Sequence, residues 1–229
     1  MTSPLPTDAE AFDRLMAARH SCRAFRPEPI PRATIAAILT TAQKTASWNN
    51  TQPWQVVIAS GGAVERFRAL MLQLASAGAE PSSDFPFPRE YRGALLERRR
   101  ACGFQLYDAV GVQRGDKAAY ARQSLRNFAL FDAPHVAIIT TDEALGAYGA
   151  LDCGAYVSNF MTAATAHGVA TIAQAALAVH AGAIRAHFGI ADDQRVVCGI
   201  SFGRADAAAP VNGYRTVRAG LGEVVRWED

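Results

Sequence analysis

Residues 19–25 read Arg19-His20-Ser21-Cys22-Arg23-Ala24-Phe25, and the rest of the chain is read outward from them. Upstream, Thr7 and Glu10 have the Thr-x-x-Glu spacing of a capping box. Phe12, Leu15 and Met16 then recur at helical intervals, so a first helix is predicted to run to about Arg19. Ser21 to Phe25 leaves that helix as an extended piece. Residues two apart in such a piece share a face, so Arg19, Ser21 and Arg23 converge. Two forked, permanently charged guanidinium groups and a hydroxyl suit a phosphate. The same residues also fit a solvated helix end, because arginine near a helix C-terminus is favourable on dipole grounds alone.

Downstream, Pro31 can open a second helix, since it lacks an N–H that the first turn would leave unbonded anyway, and Ile35, Ile38 and Leu39 give it a buried stripe. Strands are predicted at Gln55–Ala59, His135–Thr141, Val169–Ile172 and Arg195–Phe202, with helices at Val64–Leu74, Tyr91–Val112, Lys117–Leu130 and Ala181–Phe188. Pro81, Pro86 and Pro88 punctuate a loop over 75–88. Residues 75–130 read as a helical insertion over the core. Ala147–His167 is rich in Ala and Gly with apolar residues almost all round, the composition of a helix buried on every side. Residues 210–229 form an arm with too little apolar periodicity to fold alone, which suits packing on a partner chain. Mixed helices and strands place the fold in α+β or α/β.

A second stretch, Ser47-Trp48-Asn49-Asn50-Thr51-Gln52-Pro53-Trp54, is rich in amides. Asn and Gln carry donor and acceptor on one plane, which suits a ring with alternating N–H and C=O edges. Its plain alternative is a loop with a Pro-Trp corner plugging the core. The arm adds Arg215 and Arg218, which alone would pass as surface charge.

The 229 residues, half of them apolar, suffice for one domain with a substantial core. A net charge of +2, from 23 basic and 21 acidic residues, gives no field that would gather nucleic acid or a membrane. Cys22, Cys102, Cys153 and Cys198 are scattered without a Cys-x-x-Cys pair, which fits a reducing cytoplasm. Met1–Glu10 lacks the basic start and apolar run of a secretory leader, and no segment has the roughly 18 apolar residues of a membrane span. A soluble protein is expected.

Taken together, Arg19 to Phe25, Ile30-Pro31, Ile35 to Leu39 and Asn50-Thr51-Gln52-Pro53-Trp54 resemble the start of the nitroreductase family. The Tyr156–Gly168 helix, the Val196–Gly203 strand and the Arg218–Trp227 arm follow in the family's order, and the middle is most similar to p-nitrobenzoate-reductase-like members. The resemblance implies an α+β fold, a mainly antiparallel central sheet flanked by helices, in an intertwined homodimer with two FMN sites shared between the chains. It implies that Arg19, His20, Ser21 and Arg23 hold the FMN phosphate and ribityl chain, with Arg218 and, more weakly, Arg215 reaching the same phosphate. Ser47, Trp48, Asn50 and Gln52 would come from the other subunit beside the ring, and Ala173 and Gln174 would line it with backbone groups. NADH or NADPH would visit the flavin and leave, after which a nitroaromatic or quinone-like acceptor takes its place, with the chemistry at flavin N5 and no side chain as obligatory acid or base. Two departures, Ala46 before the loop serine and Ala219-Gly220 after the arm arginine, stand where the family often has Pro.

Other readings fit less well. Gly199-Ile200-Ser201-Phe202-Gly203 matches a nucleophile elbow, but the last histidine, His187, precedes the serine. The five histidines have no metal-ligand spacing, and no Gly-x-Gly-x-x-Gly or P-loop appears. Arg98-Arg99-Arg100 beside Glu97 reads as a solvated face. A flavin-storage protein stays open as an alternative, as does a flavin destructase or dehalogenase relative. Phe85, Phe87, Tyr91, Tyr107 and Tyr120 of the insertion could wall a planar acceptor.

Overall fold

The computed structural model describes residues 7–228, so the leader reading of residues 1–6 lies outside it. Thr7 Oγ1 accepts the Glu10 N–H while the Glu10 carboxylate accepts the Thr7 N–H, and this reciprocal box starts α1, Asp8–Ala18. The chain then extends, and Ser21 and Phe25 bridge to Thr171 and Ala205. Pro31 precedes α2, Arg32–Ala42, which buries Ile35, Ile38 and Ala42. Next come β1 (Gln55–Ser60), α3 (Gly62–Ser76), α4 (Gly93–Ala109), α5 (Lys117–Leu125), β2 (His135–Asp142) and α6 (Gly146–Ala166). The order closes with β3 (Ala170–Gln174), α7 (Ala181–Phe188) and β4 (Gln194–Gly203).

The four strands lie in the order β1-β2-β4-β3, every neighbouring pair antiparallel, which gives an α+β fold with a central antiparallel sheet flanked by helices. Alternation along β2 assigns the two faces. Ala137 and Ile139 pack with Ile35 and Ile38 of α2 and Tyr156 and Phe160 of α6. Val136 and Ile138 pack with Phe67 and Met71 of α3 and Ile184 of α7. His135 pins the entry to this core: its Nε2 accepts the Ile30 N–H at 2.8 Å, which leaves Nδ1–H to donate to Ser60 Oγ at 2.6 Å.

Two helices differ from their expected form. The one predicted to end at Leu130 stops at Leu125, because Leu130, Phe131 and Asp132 all take left-handed φ, at 56°, 52° and 62°. Arg68 holds this turn by donating to the carbonyls of Ala129 and Ala133, and Phe131 is buried against Cys22, Phe25 and Ile172. Helix α6 is buried on one side only within a single chain: Cys153, Tyr156 and Phe160 face the core, whereas Tyr148 and Leu151 are 58% and 66% exposed. Gly154 and Ala155 are exposed on the same side. Phe12 and Met16 of the adjacent α1 are exposed as well.

Between α3 and β2, Asp84 anchors the chain to β4: it pairs with Arg185 and Arg195 and accepts the Val196 N–H at 2.8 Å. Beyond that anchor α4 buries no residue and α5 only Ala119, while Tyr107 and Tyr120 join the two helices with ring centres 4.5 Å apart. No helix among the described residues is long and apolar enough to cross a membrane.

Candidate functional site

The end of α1, the extended piece after it and the C-terminal arm meet around one cavity of about 270 Å³. Asn212 makes this meeting possible. Its Oδ1 accepts the Arg23 N–H at 2.8 Å, and its Nδ2 donates to the carbonyls of Ala24 and Asp206. Held there, the arm brings Tyr214, Arg215, Thr216 and Arg218 to the wall opposite Arg19, His20, Ser21 and Arg23. The period-two reading of Arg19, Ser21 and Arg23 therefore holds, and the arm arginines join them.

Four guanidinium groups line this cavity, and no Asp or Glu does among the described residues. Among the described residues none of the four makes an ion pair. Their donors go to neutral groups instead: Arg23 to Ser21 O and Tyr214 Oη, Arg215 to Asn212 O, Arg218 to Thr216. Burial and the neighbouring Arg218 charge hold the Arg19 guanidinium below the ordinary arginine range. Like charges gathered in a half-buried cavity call for an anion, and a phosphate with its ring of acceptor oxygens fits that donor set. The residues present thus fit the phosphate end of FMN.

The amide loop lies elsewhere on the chain. Ser47, Trp48, Asn50 and Gln52 are not on the walls of the arginine cavity, and the slot beside Trp48 is lined by residues of α6. Asn49, Asn50 and Gln52 take left-handed φ of 50°, 56° and 48°. Three such residues in four positions store strain of the kind found at ligand sites. The loop is held by Ser47 Oγ accepting the Gln52 N–H at 2.9 Å, by Gln52 donating to Asn50, and by Gln43 donating to Gln52 Oε1 at 3.0 Å. The two tryptophans divide. Trp54 is the core plug, stacked on Tyr156 with its Nε1 donating to Gln43, whereas Trp48 is 58% exposed.

At the end of β3, Ala173 is exposed and Gln174 is buried. The Gln174 side chain is occupied, donating to Asn127 O and accepting from Ser201 Oγ, so it turns away from any ligand outside the sheet. Ser201 itself lies buried within β4 rather than on a strand-to-helix corner, which disposes of the nucleophile elbow. No cluster of metal-ligating side chains occurs among the described residues. Arg98 pairs with Glu223 and Arg99 lies over the Tyr91 ring, as a solvated face would have it. Burial pushes the Cys22 and Cys153 thiols up to about 11 and Cys198 up to about 12, so these are inert core groups.

Sequence reasoning missed Asn212, Tyr214 and Cys102 around the arginine cavity and Tyr148 and Asp152 beside Trp48. Only Tyr214 carried a signal, as the neighbour of Arg215.

A family model described as the nitroreductase family matches residues 16–204. The chain is 39% identical over 228 residues to the nitroreductase NfnB of Mycolicibacterium smegmatis, covering 99% of this chain and 96% of that one. It is 35% identical over 209 residues to the 4-nitrobenzoate reductase of Pseudomonas putida, covering 90% and 91%. Its fold superposes with a TM-score of 0.92 and 36% identity on the crystal structure of the FMN-dependent nitroreductase NfnB from Mycobacterium smegmatis in complex with NADPH, covering 96% of this chain and 99% of that one.

Proposed function

Because the chain belongs to the nitroreductase family, we propose that it is an FMN-dependent NAD(P)H oxidoreductase that reduces nitroaromatic and quinone-like acceptors. The observation that carries this reading is the cavity where Arg19, Arg23, Arg215 and Arg218 converge with no carboxylate among the described residues of its walls. Those four guanidinium groups hold the FMN phosphate, and His20 and Ser21 lie on its ribityl side. The chemistry that FMN supplies when bound is two-electron transfer from a reduced nicotinamide to the acceptor. The chain binds, orients and shields. Ala173 and the Gln174 backbone border the ring, and the Ser47, Trp48, Asn50 and Gln52 loop of a second copy closes its other edge. Water supplies protons, with no side chain assigned as an obligatory acid or base.

This division of the site between copies makes the enzyme a homodimer. The exposed Leu151 of α6, Phe12 and Met16 of α1, and Val217 and Trp227 of the arm support that assembly, since a second chain would bury all of them. The segment of about residues 75–130 is a helical insertion that borders the acceptor site. A reducing cytoplasm is the compartment this reading assigns, in keeping with four free thiols. Relatives named as nitroreductases favour turnover over flavin storage.

The test is an absorbance spectrum of the purified protein, anaerobic addition of NADPH and NADH, and then initial rates with nitroaromatics and quinones. The protein should be yellow, bleach with nicotinamide and recover with acceptor. Donor and acceptor use the same face in turn, so double-reciprocal plots should be parallel. A colourless protein that cannot be reconstituted with FMN overturns the reading, and intersecting plots overturn the shared face.

A further inference from the structure

Beside the amide loop, Trp48 and Tyr148 form an aromatic corner, with ring centres 4.6 Å apart and planes at 65°. Both rings are more than half exposed and flank a slot of about 220 Å³ whose walls also include Thr51, Leu145, Gly149 and Asp152. The only charge on its walls is Asp152, whose Oδ2 accepts the Trp48 N–H at 3.1 Å while Oδ1 makes no hydrogen bond among the described residues.

We infer that this slot selects the acceptor: Trp48 and Tyr148 receive an uncharged, electron-poor nitroarene, and Asp152 turns away rings that carry a carboxylate. The inference rests on the placement of the Ser47–Gln52 loop at the edge of the flavin ring given above. Nitro groups withdraw electrons from an arene, and indole and phenol faces are electron-rich, so the two attract in offset or edge-on contact. The one charge on the slot's walls, Asp152, has the sign of a carboxylate and so disfavours an anionic ring there. The Asp152 carboxylate also fixes the Trp48 backbone, so that one residue both sets the aromatic wall and biases its charge preference.

Nitrobenzene and 4-nitrobenzoate share ring and nitro group and differ by one carboxylate, so they are the probes, used with the FMN-loaded dimer at saturating NADPH. Wild type should favour nitrobenzene in kcat/KM. Asp152→Asn keeps an acceptor for the Trp48 N–H while removing the charge. It should raise 4-nitrobenzoate relative to nitrobenzene by about three- to tenfold. Tyr148→Ala should raise KM for nitrobenzene by about two- to tenfold with little change in kcat, and Tyr148→Phe should restore it. A wild type that prefers 4-nitrobenzoate overturns the inference, as does an unchanged ratio in Asp152→Asn. So does a Tyr148→Ala protein that runs as a monomer in light scattering, because Tyr148 would then be an interface contact. The same ranking, read as dissociation constants from perturbation of the flavin absorbance, decides the slot even if neither acceptor is turned over. Failure of turnover overturns the proposed function alone.

Discussion

Asn212 shows how one buried side chain can build a site that it does not itself line. It satisfies three backbone groups from segments nearly the whole chain apart, and without it the arm arginines lose their anchor. The arginines carry the first expected outcome. Replacing Arg19 or Arg218 by Ala removes a charge-assisted contact of about 1.5–3 kcal/mol, so the FMN dissociation constant should rise by roughly ten- to a hundredfold. Fluorescence titration of the apoprotein measures this, and unchanged affinity in both variants would show the phosphate to be elsewhere. His135 carries the second. Burial lowers its pKa from 6.5, and protonation would cost the Ile30 N–H its acceptor. The unfolded chain therefore takes up the proton first. The stability that His135 contributes is full above pH 6.5 and is lost as the pH falls below it through the depressed folded value. His180 is shifted in the same direction by burial and adds to the loss. Thermal midpoints between pH 8 and 5 should fall in this window, and less steeply in His135→Gln.

Among the elements, the legible ones had their signals in adjacent residues. The Thr7–Glu10 box and the helical spacing after it gave α1, and runs rich in β-branched residues gave the strands. Ala181–Phe188 stands where it was expected. The misread helix after Lys117 shows the limit of local pattern. Leu125, Phe128 and Phe131 have a helix-like spacing, but Arg68 and the pocket around Phe131 impose a left-handed turn that no glycine announces. Asp152 and Asn212 were illegible for a related reason, since their partners lie about a hundred residues or more away. The arginine cluster was half legible: its period-two spacing gave convergence, but only the family's order joined the arm to it. Helix α6 meets β2 at Gly149, where an added Cβ would lie 2.6 Å from Thr141 Oγ1 and 2.9 Å from Leu145 Cβ. Gly149→Ala should therefore overpack the contact and destabilise by about 1–3 kcal/mol in denaturant melts, whatever it gains in helix propensity.

For the whole molecule, the exposed side of α6 predicts that light scattering gives twice the chain's 24.5 kDa. Leu151→Glu, which puts a charge on that face, should yield monomers that retain little FMN. A well-folded, FMN-loaded monomer of the native chain would contradict the shared site. The separation of the arginine cavity from the amide loop on each chain also has a genetic reading. One defective copy carries Arg19→Ala and Arg218→Ala, and another carries a charged replacement at Trp48. Each forms an inactive homodimer, yet a mixed dimer collects both defects in one site and leaves the second intact. Such a heterodimer should have about half the wild-type activity, because two-fold symmetry supplies two sites and only one is damaged. Co-expression of the two copies should rescue turnover that neither supports alone, so that alleles at the two positions complement each other while alleles within either cluster do not.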